Sequence, residues 1–243
     1  MKIEMLNVGW FTTVAGLWRQ DEEEPERRIR FPVPAYLVET DTERILIDTG
    51  LHPGAVADAD AHYGSGSLGF FELEQEESIA DQVDLSTVTM VVLTHLHFDH
   101  AGGLSLLPAM VPVVVQRAEW EAGHDRAAIE RNFLQPRDYA DVSTDLLTLV
   151  DGDHDLLGDG SIELLSTPGH TPGHQSVRVG DDVVGGDVAH YASVLDDLRL
   201  PAFGDDLREQ GRSVERLRTL RDAGLTVQPG HDPDALKPGP LVA

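Results

Sequence analysis

The sequence has no cysteine and no long apolar run. The absence of cysteine excludes disulfides, thiolate metal ligands and cysteine nucleophiles. Hydrophobic residues make up 41% of the chain, which allows a sizeable core. No run reaches the ~18 apolar residues that a transmembrane helix needs. Residues 1–10 do not resemble a signal peptide, so we expect a cytoplasmic protein.

Positive charge is scarce, since 18 basic residues stand against 43 acidic ones and the formal net charge is −25. Such a surface repels phosphate groups, so we expect neither a nucleic-acid partner nor a membrane partner. The only lysines are Lys2 and Lys237. An acidic, lysine-poor chain fits adaptation to high salt. A GC-rich genome is the alternative, although it explains the arginine preference and not the size of the charge.

Short β-branched and apolar segments bounded by turn residues predict a strand-rich chain with interspersed helices. Residues 32–40 and 44–50 predict a hairpin, and 205–223 predict the longest amphipathic helix. Residues 11–33 are predicted to be a loop. Without a linker or repeat, residues 1–243 are interpreted as one domain. Other strands are predicted at 2–8, 87–93, 111–116, 146–150, 162–166, 175–179, 182–184 and 225–228.

Metal-binding side chains are concentrated directly after the predicted strand 87–93, in the run His95-Leu96-His97-Phe98-Asp99-His100. His95 and His97 are two residues apart, so in extended backbone both imidazoles can reach one ion. Asp99 and His100 follow where the chain turns toward a helix, and they suggest a second ion. Imidazole and carboxylate ligands without sulfur favour zinc, with other divalent metals possible.

Three later loops each deliver one more imidazole or carboxylate from the end of a predicted strand. Their glycines let the backbone approach closely, and two of the loops are stiffened by proline. Loops of this kind suit a preorganised site. The residues are His170 in TPGH (167–170), Asp187 in GGD (185–187) and His231 in PGH (229–231).

In this order, HxHxDH, TPGH, GGD and PGH resemble the metallo-β-lactamase superfamily, from residue 47 to residue 231. The resemblance implies an α/β (α+β) fold, the four-layer αββα sandwich, with metals at one edge of its two sheets. Longer stretches are similar to the N-acyl homoserine lactone lactonases. They are FPVPAYLVET (31–40), HLHFDHAGG (95–103), VQRAEWE (115–121) and TPGHTPGHQS (167–176).

The resemblance also implies two zinc ions per chain. One ion is assigned to His95, His97 and His170, and the other to Asp99, His100 and His231. Asp187 is assigned to both ions, which it bridges together with a hydroxide. Side chains that accept the other N–H of a ligating imidazole would fix its orientation, and the candidates are Asp48, Thr94 and His174.

One position departs from the lactonase pattern. The lactonases commonly carry a tyrosine three residues after the bridging aspartate, aimed at the substrate carbonyl. Here His190 stands in that place and Tyr191 follows it. Either side chain can donate a hydrogen bond to an oxyanion, and we favour His190. Phe98 is predicted to line the substrate pocket. Five further aromatic residues could hold an acyl chain but are more typical of core or loop anchors: Trp10, Phe11, Trp18, Phe70 and Phe71.

These features predict a dinuclear zinc hydrolase that opens a lactone ring. The bridging hydroxide attacks the ester carbonyl, which one zinc and His190 or Tyr191 polarise. Asp99 or Asp187 returns the proton to the leaving alkoxide. The expected partner is a small lactone or ester, and the expected assembly is a monomer or homodimer. Alternatives are a glyoxalase II-like thioesterase, an arylesterase or a phosphotriesterase on the same centre, or a non-catalytic metal- or ligand-binding protein.

Overall fold

Two β-sheets form the middle layers of the protein, for which the computed structural model describes residues 1–19 and 22–241. In these ranges the first sheet contains β1 (Lys2–Val14), β2 (Arg28–Glu39), β3 (Arg44–Ile47), β4 (Glu72–Glu74), β5 (Met90–Val92), β6 (Val113–Gln116), β7 (Leu147–Val150) and β13 (Gly239–Pro240). The second contains β8 (His154–Asp155), β9 (Ile162–Ser166), β10 (Gln175–Val179), β11 (Asp182–Val184) and β12 (Thr226–Gln228).

The strand order of the first sheet is β13-β1-β2-β3-β5-β6-β7, and β4 pairs with β1. Strands β1 to β3 are antiparallel, whereas β3, β5, β6 and β7 run parallel. The second sheet has the order β12-β11-β10-β9-β8 and is antiparallel except between β11 and β12. Because parallel strands end at the same edge of a sheet, the segments after β3 and β5 lie side by side.

Most of the helices are short, and α9 is the longest. They are α1 (Ala15–Trp18), α2 (Pro53–Ala57), α3 (Ala59–Tyr63), α4 (Ile79–Gln82), α5 (Phe98–Ala101), α6 (Arg117–Ala122), α7 (Arg126–Asn132), α8 (Val194–Asp197) and α9 (Leu207–Asp222). Within the described ranges, no helix combines the length and the apolar character needed to cross a membrane.

Alternating side chains along the strands divide the apolar core into layers. Leu46 belongs to the cluster on the outer face of the first sheet, whereas its neighbour Ile45 packs between the sheets with Val177. Leu165 lies on the opposite face of the second sheet, where it shares a cluster with Leu217 of α9. Helices therefore cover both outer faces, and the predicted αββα sandwich is confirmed.

The predicted strands 162–166, 175–179 and 182–184 have the observed bounds, and the predicted hairpin is the antiparallel pair β2–β3. The prediction of a loop over 11–33 is confirmed for residues 22–27 and wrong for 11–18 and 28–33, while residues 20 and 21 lie outside the described residues. There β1 continues to Val14, α1 follows, and β2 begins at Arg28. Residues 10–14 of β1 pair with residues 28–32 of β2, and this cross-strand pairing keeps both segments extended. The single domain over 1–243 stays a prediction.

Candidate metal centre

The site begins where β3 and β5 end. Asp48 follows β3 with a φ of 60°, a left-handed conformation that is uncommon outside glycine and is held only by surrounding contacts. Its two carboxylate oxygens accept hydrogen bonds from the backbone N–H and the hydroxyl of Thr94, each at 2.7 Å. These bonds tie the end of β3 to the first residue before the histidine-rich run.

The first metal group consists of His95, His97 and His170, which come from two different loops. The Nδ1 atom of His97 lies 2.9 Å from Nε2 of His95 and 3.0 Å from Nε2 of His170. Asp187 Oδ2 lies 3.4 Å from Nε2 of His170. These ligand atoms all lie within 4.8 Å of one another, a spacing that one metal ion can span.

The second metal group consists of Asp99, His100 and His231. The Nε2 atoms of His100 and His231 are 3.4 Å apart, and that of His231 lies 3.4 Å from Asp99 Oδ2. Asp187 Oδ1 lies 3.3 Å from His100 Nε2 and 3.0 Å from His231 Nε2. One oxygen of Asp187 thus faces each group. The structure brings together all seven residues that the sequence singles out as ligands.

The donor set fits divalent metal ions, because each ligating imidazole can keep one proton on its outward nitrogen and use the inward nitrogen as a ligand. His100 donates from Nδ1 to Asp48, and His231 donates from Nδ1 to the carbonyl of Pro32, both at 2.8 Å. His97 donates from Nε2 to the carbonyl of Asn132 at 2.7 Å. The other ring nitrogens of these residues face one another across each group, at distances that a bound cation can span. Imidazole and carboxylate ligands of this kind suit zinc.

Burial and charge act differently on the two metal groups. Burial, with the neighbouring imidazoles, lowers the pKa of His95 well below its usual range. Burial also dominates at His170, whose pKa is likewise well below normal. Burial opposes ionisation of Asp187, but the imidazoles of His231 and His100 outweigh it and hold the pKa of that carboxyl well below normal. The first group is therefore neutral and the bridging carboxylate ionised. In the second group burial is outweighed by Asp187 and Asp99, which raise the pKa of His100 and His231, so a metal ion would displace a proton there.

His174 contacts the bridging residue rather than an imidazole ligand. Its Nε2 accepts the backbone N–H of Asp187 at 3.0 Å, and its Nδ1 lies 3.0 Å from the hydroxyl of Thr167. Burial lowers the pKa of His174 to about 3, so the ring stays neutral and keeps this acceptor. The orienting roles predicted for Asp48 and Thr94 agree with their contacts, since Thr94 Oγ1 lies 3.0 Å from Nδ1 of His95.

A cavity of about 670 Å³ opens above the metal groups. His97, Asp99, His170 and Asp187 form its floor. Its walls are mostly apolar, as expected for a small-molecule site. The wall residues are Phe11, Leu17, Trp18, Gly66, Ser67, Leu68, Phe70, Phe71, Phe98, Arg131, Asn132, Phe133, Phe203 and Gly204.

Of the predicted substrate residues, Phe98 belongs to the described lining of this cavity, as the sequence predicts, whereas His190 and Tyr191 do not. His190 is buried beneath Trp18, with ring centroids 4.5 Å apart, and its Nε2 lies 3.1 Å from Asp187 Oδ2. Tyr191 packs against Phe31 instead, with ring centroids 5.8 Å apart.

The sequence predicts the cavity wall only in part. Four of the five aromatic residues that could hold an acyl chain, but are more typical of anchors, line the cavity: Phe11, Trp18, Phe70 and Phe71. Phe203 is not singled out by the sequence. Asn132 has no signal at all, because its contribution to His97 is a backbone carbonyl.

An αββα sandwich with a histidine and aspartate cluster at one sheet edge defines the metallo-β-lactamase-like proteins as a class. A sequence model described as the metallo-beta-lactamase superfamily matches residues 28–231. The chain therefore belongs to the metallo-β-lactamase superfamily.

Among individual proteins, the chain is similar to several N-acyl homoserine lactonases. The chain is 31% identical to the N-acyl homoserine lactonase AttM of Azorhizobium caulinodans, over 84% of the chain and 83% of that protein. It is 30% identical to an N-acyl homoserine lactonase of a Bacillus species, over 81% and 79%. A structure of an N-acyl homoserine lactone hydrolase, with N-hexanoyl-L-homoserine bound at its metal centre, matches with a TM-score of 0.82 and 25% identity, over 96% and 94%.

Proposed function

We propose that this metal-dependent hydrolase opens the lactone ring of N-acyl homoserine lactones at a centre of two zinc ions. The observation that carries the proposal is the position of the two metal groups at the floor of a cavity with apolar walls. A lactone head group with an acyl chain has the matching division into a polar reactive end and an apolar tail. The relatives named as lactonases support the same substrate class.

The two ions, when bound, supply a hydroxide near neutral pH and polarise the ester carbonyl. Asp187 fixes the two metal groups relative to each other, because one of its oxygens faces each group. Asp99 lies on the cavity floor, where its carboxylate can pass a proton to the leaving ring oxygen. The apolar walls exclude water around the reacting ester, which strengthens these electrostatic contacts.

His190 has the better position of the two candidates for the substrate carbonyl. Its Nε2 is 3.1 Å from Asp187, whereas Tyr191 packs against Phe31. His190 reaches the carbonyl only if Trp18, which covers it, turns aside as substrate enters. We therefore keep His190 as the proposed oxyanion donor and Tyr191 as its alternative.

The test is a pH-stat assay of the zinc-loaded protein against butanoyl, hexanoyl and decanoyl homoserine lactones. A glutathione thioester, an aryl ester and a phosphotriester run in parallel at the same concentration. We expect the lactones to have the highest kcat/KM. Turnover of the thioester or phosphotriester without turnover of any lactone would overturn the proposal and establish a different hydrolase chemistry on the same centre.

A further inference from the structure

The stretch VQRAEWE (115–121) contains a buried acid that the proposed reaction does not use. Glu119 lies on α6 and is 0% exposed. Burying a carboxylate is costly unless hydrogen-bond donors surround it. Burial raises the pKa of Glu119, which means that ionising this carboxyl inside the protein costs free energy. The hydrogen bonds of its two oxygens offset this cost.

The two oxygens of Glu119 bind the two loops that carry the first metal group. Oε1 accepts the backbone N–H of Leu96 at 3.0 Å, and Oε2 accepts that of Gly173 at 2.9 Å. Leu96 stands between His95 and His97 in the chain. Gly173 stands in the loop that carries His170. A single carboxylate therefore links all three imidazoles of the first group through the backbone.

The glycine is required for this link. A Cβ atom at Gly173 would come within 2.1 Å of the backbone nitrogen of Glu119, closer than any real contact allows. The loop therefore packs directly against α6, and the Glu119 carboxylate reaches its N–H without an intervening side chain. The second metal group has a different support, because Asp48 and the carbonyl of Pro32 hold its imidazoles.

We propose that Glu119 is a positioning residue for the first metal ion, an inference that rests on the proposed metal centre. By fixing the backbone of two loops, it sets the separation between the nitrogens of His95, His97 and His170 before the ion binds. Hydrogen bonds to an ionised acceptor are stronger than neutral ones and suit this function. Outer contacts of this kind typically change metal affinity about 10- to 100-fold.

The test is the variant Glu119→Gln, which keeps the shape of the side chain but replaces one oxygen by an amide N–H₂. That group faces a backbone N–H, so one of the two loops is released. We expect the affinity for one of the two zinc ions to fall about 10- to 100-fold and that for the other to change less than about twofold. Zinc titration against a competing chelator measures both constants, and Glu121→Gln on the exposed face of α6 is the matched control.

Circular dichroism and thermal melting of each variant, with and without zinc, report whether the fold is intact. If Glu119→Gln does not fold, Glu119→Asp replaces it, because the shorter carboxylate keeps its charge and reaches only one loop. Equal weakening of both ions, or wild-type affinity for both, would overturn the proposal. The titration uses no substrate, so a protein that binds two ions selectively but hydrolyses no lactone would refute only the proposed function.

Discussion

The two metal groups are built from different chemistry although they share Asp187. In the first group three imidazoles converge, and His97 is oriented by the carbonyl of Asn132. The second group has one carboxylate, Asp99, among its candidate ligands, and a second carboxylate, Asp48, accepts from His100. Burial lowers the pKa of His95 in the first group, whereas in the second the carboxylates of Asp187 and Asp99 outweigh burial and raise the pKa of His100 and His231. The two ions are therefore expected to respond differently to the same kind of substitution.

Removing the shared ligand tests the comparison most severely. In Asp187→Asn one anionic oxygen is replaced by an amide that cannot bridge, so both groups lose their common ligand. We expect kcat to fall by more than the ~100-fold typical of outer contacts, with weaker binding of both ions. The pH-stat assay and zinc titration measure these effects, and Asp181→Asn on the exposed turn is the control. An unchanged rate would refute the two-metal scheme.

The substitution Asp48→Asn separates the two groups. Asparagine tolerates the left-handed backbone at φ 60°, so the change isolates the charge that orients His100. We expect the affinity for the second ion to fall about 10- to 100-fold. The first ion should respond less, because Asp48 reaches His95 only through Thr94. Chelator competition measures both constants, and equal losses would contradict the distinction between the groups.

A buried carboxyl outside both metal groups also predicts a pH effect on stability. Burial raises the pKa of Asp138 from 3.8 to about 7, with a smaller contribution from Asp99, although the hydroxyl of Tyr63 donates to it. The folded state therefore holds this proton more tightly than the unfolded state, and stability falls as pH rises from about 4 through about 7.

The variant Asp138→Asn has no carboxyl at this position, so it does not lose this stability as pH rises. Its free energy of unfolding relative to wild type should be larger at pH 8 than at pH 5 by on the order of 1 kcal/mol, or a few degrees in Tm. Thermal melts of the zinc-loaded proteins at both pH values provide the measurement, with the exposed Asp141→Asn as control. A gain of the same size at pH 5 and pH 8 would show that the Asp138 carboxyl does not titrate in this range.

The sequence predicts the metal groups better than the cavity above them, for a physical reason. Ligands such as His95 and Asp187 must be of particular residue types at strand ends, so local pattern and chemistry reveal them. The walls combine Trp18 of α1 with Phe71 and Phe203 from segments far apart in the chain, and only tertiary packing brings these together. Tertiary contacts also explain why the sequence does not predict the end of β1 and the beginning of β2, which are held extended by pairing with each other.

The smallest effect is expected at a residue that belongs to neither metal group. Phe70 lines the cavity yet is 70% exposed, so Phe70→Ala should leave folding and both zinc affinities unchanged. Losing contact with about one methylene of the acyl chain costs about 0.8 kcal/mol, so KM should rise about fourfold for decanoyl homoserine lactone. The butanoyl substrate should be unaffected, as should both substrates in the exposed control Met110→Ala. An equal change for short and long chains would show that Phe70 does not contact the acyl tail and that this wall acts on the reactive end instead.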